Sequence, residues 1–188
     1  MRRPIISESL DIPPILTGNK VRLRPKRFRD TINDYQWRKD TELCRLDATQ
    51  PTTSSFEDYL KFVANATSCS SNSCHFAIET LDGKHIGNCG YFGIDDANGD
   101  AEIGIMIGDK AYWNQCYGTD AMRTVLNYIF SQTRLKRIHL KTLDWNIRAQ
   151  KCFEKCGFTT CGKLIREEHS FILMEIQHSD KNQYNLKK

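Results

Sequence analysis

The stretch AEIGIMIGDKAYWNQCYGTDA, residues 101–121, has the residue pattern of a site for an anionic ligand. Its apolar residues alternate as far as Ile107, which is typical of a strand, and a helical period follows the loop that ends at Thr119. A loop that runs into a helix presents unpaired backbone N–H groups and the positive end of the helix dipole. Such a site suits a pyrophosphate. The same pattern also fits an ordinary strand–loop–helix connection, so this stretch alone does not establish a function.

Two polar residues outside the loop are candidates for chemistry. Glu102 starts the strand before the loop, where a carboxylate is a possible general base. A solvent-facing carboxylate at the start of a strand is the alternative interpretation. Asn146 precedes a second helical pattern, and its side chain can cap that helix.

The eight cysteines form no CxxC pair, so the sequence predicts free thiols. Cys152 and Cys156 lie one helical turn apart and could both contact a metal. No histidine follows at the spacing of a zinc site, so we expect no metal. Buried cysteines then act as small apolar residues.

Length and composition indicate one globular domain. The chain has 188 residues, of which 39% are hydrophobic, enough for a real core. Its net charge of +4 is mild, and the basic residues near the N-terminus are more typical of a solvated edge than of a nucleic-acid-binding face. No apolar run approaches a membrane span, and the N-terminus lacks the apolar core of a signal peptide. We therefore expect a cytoplasmic protein without membrane contacts.

The order of the predicted strands and helices indicates a mixed α/β domain. A loose arm is expected over residues 1–15, the domain over 16–176 and a polar tail over 177–188. Residues 21–25 read as an outer strand, Asp30 as the cap of a helix, and Ser54 with Glu57 as a capping box. The remaining predicted elements are strands at 74–80, 85–94 and 101–107, a helix at 118–132, a strand at 137–143, a helix that Asn146 caps and Gly157 stops, and a hairpin at 158–176.

Three stretches of the chain resemble the GNAT superfamily of N-acetyltransferases. The stretch NIRAQKCFEKCGF at 146–158 closely resembles the signature N-x-R-A-x-x-x-Y-E-K-x-G-F of that family. The stretch WNQCYGT at 113–119 is similar to its acyl-CoA pyrophosphate loop, R/Q-x-x-G-x-G/A. The opening LTGNKVRLRP at 16–25 is similar to the start of the RimJ/RimL-type branch.

The resemblance implies a GNAT fold, with a central, mostly antiparallel sheet, a splayed parallel strand pair and flanking helices. It implies acetyl-CoA as co-substrate and an amine acceptor, either a protein N-terminus or a small amine, that attacks the thioester directly. The backbone of the loop would bind the pyrophosphate, and the end of the preceding strand would pair with the pantetheine arm. The implied cofactor-binding residues are Met106, Ile107, Gly108, Trp113, Asn114, Gln115, Cys116, Tyr117, Gly118, Thr119, Asn146 and Phe153.

Two positions depart from the family pattern. Cys116 stands where glycine is common, which matters if the backbone there has a positive φ. Phe153 stands where many members carry a tyrosine as general acid, so water or Cys152 would have to protonate the leaving thiolate. A non-catalytic acyl-CoA-binding domain is therefore the rival hypothesis. The resemblance leaves a homodimer open. The loops expected to select the acceptor, at about residues 40–55, 68–73 and 164–170, carry no readable motif.

Overall fold

The computed structural model describes residues 13–64, 69–70 and 72–178. The predicted arm and tail fall largely outside these residues. Two short 3-10 helices, Phe28–Asp30 and Lys110–Tyr112, accompany the main elements. The strands and helices are β1 (Leu16–Thr17), β2 (Val21–Arg24), α1 (Thr31–Lys39), α2 (Thr41–Leu46), α3 (Phe56–Ala64), β3 (Cys69–Ser70), β4 (Ser73–Thr80), β5 (His85–Asp95), β6 (Asp100–Ile107), α4 (Tyr117–Gln132), β7 (Arg137–Leu143), α5 (Ile147–Lys155), β8 (Thr159–Arg166) and β9 (His169–Gln177).

All nine strands join one sheet in the order β1-β2-β4-β5-β6-β7-β9-β8, and β3 pairs with β4 beside this path. Every pairing is antiparallel except that of β6 with β7. This parallel pair is registered only over Asp100, Ala101 and Glu102 of β6. Beyond Glu102 the two strands separate. The mixed α/β class and the splayed parallel pair are therefore confirmed.

Helix α4 packs on the sheet with the face that its sequence period predicts. Its five predicted core residues, Met122, Val125, Leu126, Ile129 and Phe130, are all buried. Burying a side chain of this size stabilises the fold by about 1.5–3 kcal/mol relative to exposing it. The helix is thereby fixed along its length, and its N-terminus is held where β6 and β7 diverge.

Strand β2 is not an outer strand, contrary to the sequence-based expectation, because β1 covers one edge and β4 the other. Arg24 is only 1% exposed and belongs to no solvated basic edge. Its guanidinium donates to Asp30 Oδ2 and Oδ1 at 2.7 and 2.9 Å and to a carboxylate oxygen of Glu79 at 2.5 Å. These two partners lie 6 and 55 residues away, so the local alternation could not reveal the burial.

Two predicted helix caps differ from the observed ones. Asp30 precedes α1 as expected but makes no capping bond from its side chain, because its carboxylate binds Arg24 and the Arg27 N–H. The capping role at α3 belongs to Ser55, whose Oγ accepts from the Asp58 N–H at 3.1 Å. The predicted Ser54–Glu57 box is therefore displaced by one residue.

One cysteine departs from the prediction of free thiols. Cys74 is disulfide-bonded, and the register of β3 on β4 places the backbone of Cys69 opposite it. The cysteines recorded as free are Cys44, Cys89, Cys116, Cys152, Cys156 and Cys161.

Within the described residues, no helix combines the length and the apolar character that crossing a bilayer requires. No group of three or more histidine, cysteine, aspartate or glutamate side chains there is arranged to hold a metal ion.

Candidate active site

A cleft of about 600 Å³ opens where β6 and β7 separate. One wall is the end of β6, one is α5, and the floor is the loop that leads into α4. Helix α2 also borders the cleft. The lining residues are Leu43, Leu46, Asp47, Ile105, Met106, Ile107, Tyr112, Trp113, Asn114, Cys116, Tyr117, Gly118, Thr119, Asn146, Ile147, Arg148, Ala149, Lys151, Cys152, Phe153 and Lys155.

The loop before α4 has a backbone suited to anions. Asn114 and Cys116 both adopt the left-handed conformation, with φ of 59° and 65°. Each costs a non-glycine residue about 1–2 kcal/mol. A backbone with left-handed residues at alternate positions points successive N–H groups toward the same side. Here these N–H groups lie at the N-terminus of a 16-residue helix. The positive φ at position 116 is a physical reason for the glycine that the family pattern commonly has there.

Trp113 connects the loop to the wall strand and to α5. Its indole Nε1 donates to the Ile107 carbonyl at 2.6 Å. The Arg148 guanidinium lies over the same ring, with Cζ 3.5 Å from the centroid. One side chain therefore fixes three parts of the cleft, and the Ile107 carbonyl already has a donor.

Asp120 holds the start of α4 against the β1–β2 turn. Its carboxylate accepts from the N–H groups of Asn19, Lys20 and Val21 at 3.2, 2.7 and 3.1 Å. A Cβ at Gly18 would lie 2.5 Å from this carboxylate, so the close approach requires glycine there. The turn thereby anchors the floor of the cleft from outside.

Asn146 caps α5, as predicted. Its Oδ1 accepts from the Ala149 N–H at 3.3 Å, and the residue is 9% exposed on the cleft wall. No acceptor among the described residues bonds its Nδ2, which leaves a donor at the cleft. At the other end of the helix Gly157, with φ of 90°, gives the predicted stop.

Phe153 is both a core residue and a lining residue. It is 7% exposed and packs edge-on against Phe158 with the ring centroids 6.0 Å apart. Its ring carries no proton donor into the cleft.

The other predicted site residues divide into those that line the cleft and those that do not. Met106 and Ile107 line it, with most of the loop residues. Gly108 lies behind Trp37, because an added Cβ would come within 2.1 Å of that indole. Gln115 is outside the lining and donates to the Ala111 carbonyl.

Glu102 is not among the lining residues either. Its Oε1 accepts from Lys141 Nζ at 2.6 Å, so the carboxylate already has a cationic partner. Its role as a base stays a prediction.

Several lining residues were not identified from the sequence. Leu43 and Leu46 come from α2, a six-residue helix in a segment for which the sequence predicts a loop, and Asp47 is the residue that ends it. Among the described residues of the lining Asp47 is the only acidic one. The Asp47 side chain is 60% exposed, and its Oδ2 lies 3.8 Å from Arg38 Nη1. Desolvation at the cleft raises the pKa of Asp47, and the charges of Arg38 and Lys141 oppose this rise.

The other side of the cleft is basic. Arg148, Lys151 and Lys155 line it from α5. All three fall within the 146–158 signature, so their positions could have been identified from the helical period. Together with the α4 N-terminus they favour an anionic ligand at this end.

Comparison with known proteins agrees with this geometry. The family model described as acetyltransferase (GNAT) domain matches residues 20–159. A Bacillus licheniformis protein described as an uncharacterized N-acetyltransferase, p20, is 27% identical over 152 residues, which span 79% of this chain and 84% of that protein.

Two solved structures illustrate the similarity of fold. The spermidine N-acetyltransferase of Vibrio cholerae, in complex with CoA and spermine, aligns with a TM-score of 0.77 and 22% identity over 85% of this chain and 96% of that chain. The aminoglycoside acetyltransferase AAC(6')-Ib, in complex with coenzyme A and kanamycin, aligns with a TM-score of 0.72 and 18% identity over 88% of this chain and 99% of that one.

Proposed function

The chain belongs to the GNAT acetyltransferase family, and on that basis we propose that it transfers an acetyl group from acetyl-CoA to a primary amine. The observation that carries the proposal is the left-handed pair Asn114 and Cys116 at the N-terminus of α4. Strained backbone of this kind persists where its geometry serves a ligand. The opening of the chain also supports placement in the RimJ/RimL-type branch.

Acetyl-CoA fits the cleft from its basic to its acidic end. The pyrophosphate binds the N–H groups of residues 114–119, with Arg148 and Lys151 nearby on α5. The pantetheine arm follows β6 at Met106 and Ile107, with the amide of Asn146 facing it from α5. Gly108 supports this strand end from behind, because Trp37 covers it. The thioester then lies between the separated strands.

The acceptor enters from the α2 end. Asp47, with Leu43 and Leu46 beside it, offers one carboxylate on an apolar wall, which suits an ammonium group on a short alkyl chain. The similar complexes hold spermine and kanamycin, both of which carry primary amino groups. A small polyamine or another small primary amine is the proposed substrate, and a protein N-terminus is the second candidate.

The reaction proceeds by direct attack. The ammonium group loses a proton to a carboxylate, either Asp47 or, through water, Glu102. The free amine then attacks the acetyl carbonyl carbon, the C–S bond breaks, and the nitrogen loses its second proton to solvent as the neutral amide forms. Because Phe153 has no hydroxyl, the CoA thiolate takes its proton from solvent.

A non-catalytic acyl-CoA-binding domain is the second candidate, and the absence of a hydroxyl at Phe153 favours it. Release of free CoA from acetyl-CoA, measured against a panel of polyamines, aminoglycosides and N-terminal peptides, separates the two. Amine-dependent release is expected. Tight acetyl-CoA binding without release for any amine would favour the binding domain.

The same assay distinguishes the two candidate bases. If Asp47 is the base, Asp47→Asn should lower kcat and leave acetyl-CoA affinity unchanged, whereas a rise in KM for the amine alone would mean that Asp47 only binds the ammonium group. Glu102→Gln is the matched change at the other carboxylate. A loss confined to Glu102→Gln would assign the base role to Glu102.

A further inference from the structure

Cys152 lies on the cleft wall, and the proposed transfer does not use its thiol. Its Sγ is 3.4 Å from Thr119 Oγ1 in the first turn of α4. A Cβ added at Gly118 would lie 3.6 Å from the same sulfur. The thiol therefore borders the floor that the pyrophosphate is proposed to occupy.

Cys156 supports the thiolate form of Cys152. It is buried one turn later on α5, and its Sγ lies 3.6 Å from the Thr119 carbonyl. The thiol proton of Cys156 can be donated either to that carbonyl or to Cys152 Sγ. A hydrogen bond from Cys156, opposed by burial and assisted by Thr119, lowers the pKa of Cys152 to about 7. The same hydrogen bond and burial raise the pKa of Cys156.

The charges around Cys152 are positive on both helices. Lys155 of α5 and Arg123 of α4 both favour the thiolate. The Arg123 guanidinium is fixed nearby, because it donates to the Lys155 carbonyl at 2.7 Å. Lys151 and Arg148 line the same wall. A reagent that carries negative charge is attracted to this sulfur, and one that carries positive charge is repelled.

We propose that Cys152 is a site of reversible S-thiolation by anionic low-molecular-weight disulfides. The Cys152 thiolate attacks one sulfur of the disulfide, a Cys152–S–S–R bond forms, and the other half leaves as a thiolate with the electron pair of the broken bond. A second thiol reverses the reaction by the same exchange. No further oxidant is needed, because the disulfide itself is reduced.

The adduct closes the cleft to acyl-CoA. It adds bulk and negative charge beside Gly118 and Thr119, where the anionic end of acetyl-CoA is proposed to bind. This consequence rests on the proposed function, whereas the reactivity of Cys152 does not.

The test compares an anionic with a cationic disulfide. The full-length protein is treated briefly with a thiol reductant, desalted, and incubated at pH 7.5 with either oxidised glutathione or cystamine. Peptide mass mapping gives the rate at each cysteine. Cys116 and Cys161 are internal controls, since both are free and exposed. Cys152→Ser removes the site, and Cys161→Ser is the matched control variant.

Oxidised glutathione is expected to modify Cys152 before it modifies Cys116 and Cys161. At low salt it should react with Cys152 roughly tenfold faster than cystamine does. This difference in rate should be smaller in 0.5 M NaCl. If Cys116 or Cys161 is modified first, or if Cys152 reacts faster with cystamine than with oxidised glutathione, the assignment of Cys152 as the site is wrong. Acetyl-CoA binding to the glutathionylated protein is then measured by calorimetry. Unchanged affinity would overturn the closure of the cleft. If the unmodified protein itself binds no acetyl-CoA, the proposed function fails while the labelling order still decides the reactivity of Cys152.

Discussion

The Arg148 guanidinium stacks on the Trp113 indole, with Cζ 3.5 Å from the ring centroid. The same indole donates its N–H to the Ile107 carbonyl at 2.6 Å. The pair thus holds α5 and the α4 loop against the end of β6. An exposed cation–π contact contributes about 0.5–1 kcal/mol, and a net hydrogen bond contributes a similar amount.

A double-mutant cycle measures the Arg148–Trp113 contact. Arg148→Met and Trp113→Leu, alone and combined, should give a coupling energy of about 0.5–1 kcal/mol in urea unfolding. Arg148→Met keeps most of the stem and removes the charge. Additive effects of the two changes would show that the stack contributes nothing to stability.

Cys116 should respond to substitution through its backbone. At φ of 65° a Cβ is unfavourable, so Cys116→Gly should be more stable than Cys116→Ala by about 0.5–1 kcal/mol. Cys116→Ala should match the wild type, because it keeps the Cβ. Urea denaturation measures all three. A glycine variant less stable than the alanine variant would contradict the left-handed conformation.

Substitutions of Asn146 can separate its helix-capping role from its proposed contact with acetyl-CoA. Asn146→Asp keeps an oxygen for the Ala149 N–H, so stability should change by less than about 0.5 kcal/mol. It loses the amide donor that faces the cleft, and acetyl-CoA affinity should fall. Asn146→Ala is the control that also removes the cap, at about 1 kcal/mol. Equal affinity of Asn146→Asp and wild type would leave capping as its whole role.

The buried network of Arg24 predicts acid sensitivity. Burial alone would raise the pKa of Asp30 and of Glu79, but the hydrogen bonds and charge of Arg24 lower both below their usual values of 3.8 and 4.5. A carboxylate with a lowered folded-state pKa stabilises the fold above its unfolded-state pKa, and this stabilisation is lost as the pH falls through the folded-state value.

The stability of the wild type should therefore decline as the pH falls from about 5 toward 3. Glu79→Gln should destabilise the protein at pH 7 by about 3–5 kcal/mol, because it leaves buried charge uncompensated, and should flatten the acid decline. Denaturant titrations over this pH range test it. If the stability of Glu79→Gln declines with falling pH as steeply as that of the wild type, Glu79 does not contribute to the acid sensitivity.

The sequence predicts best what is local. The period of α4 and the Asn146 cap depend on residues within a few turns of one another, and both are confirmed. The β6–β7 splay came with the family resemblance and is confirmed as well. Helix α2 was missed because six residues are too few for a period to show.

What the sequence did not predict depends on distant partners. Arg24 reads as an exposed alternating residue until Glu79, 55 residues away, is placed beside it. Asp47 enters the cleft only because α2 packs across the fold, and Glu102 lies outside the lining beside Lys141. The strand–loop–helix over residues 101–132 was predictable because its residues are contiguous.

The central claim is that the N-terminus of α4 binds the pyrophosphate of acetyl-CoA. Calorimetric titration of acetyl-CoA into Gly118→Asp and Gly118→Asn tests it most directly, because the two side chains share a shape and differ in charge. A Cβ at this position meets only ordinary contacts, with Cys152 Sγ and Ile107 Cγ1 both at 3.6 Å. An aspartate in the first turn also favours the helix dipole, so weaker binding cannot be attributed to unfolding of α4.

Wild type should bind, and Gly118→Asp should bind at least about tenfold more weakly than Gly118→Asn, because its charge opposes the phosphates. Equal affinity of the two variants, both matching wild type, would contradict the placement of acetyl-CoA in this cleft.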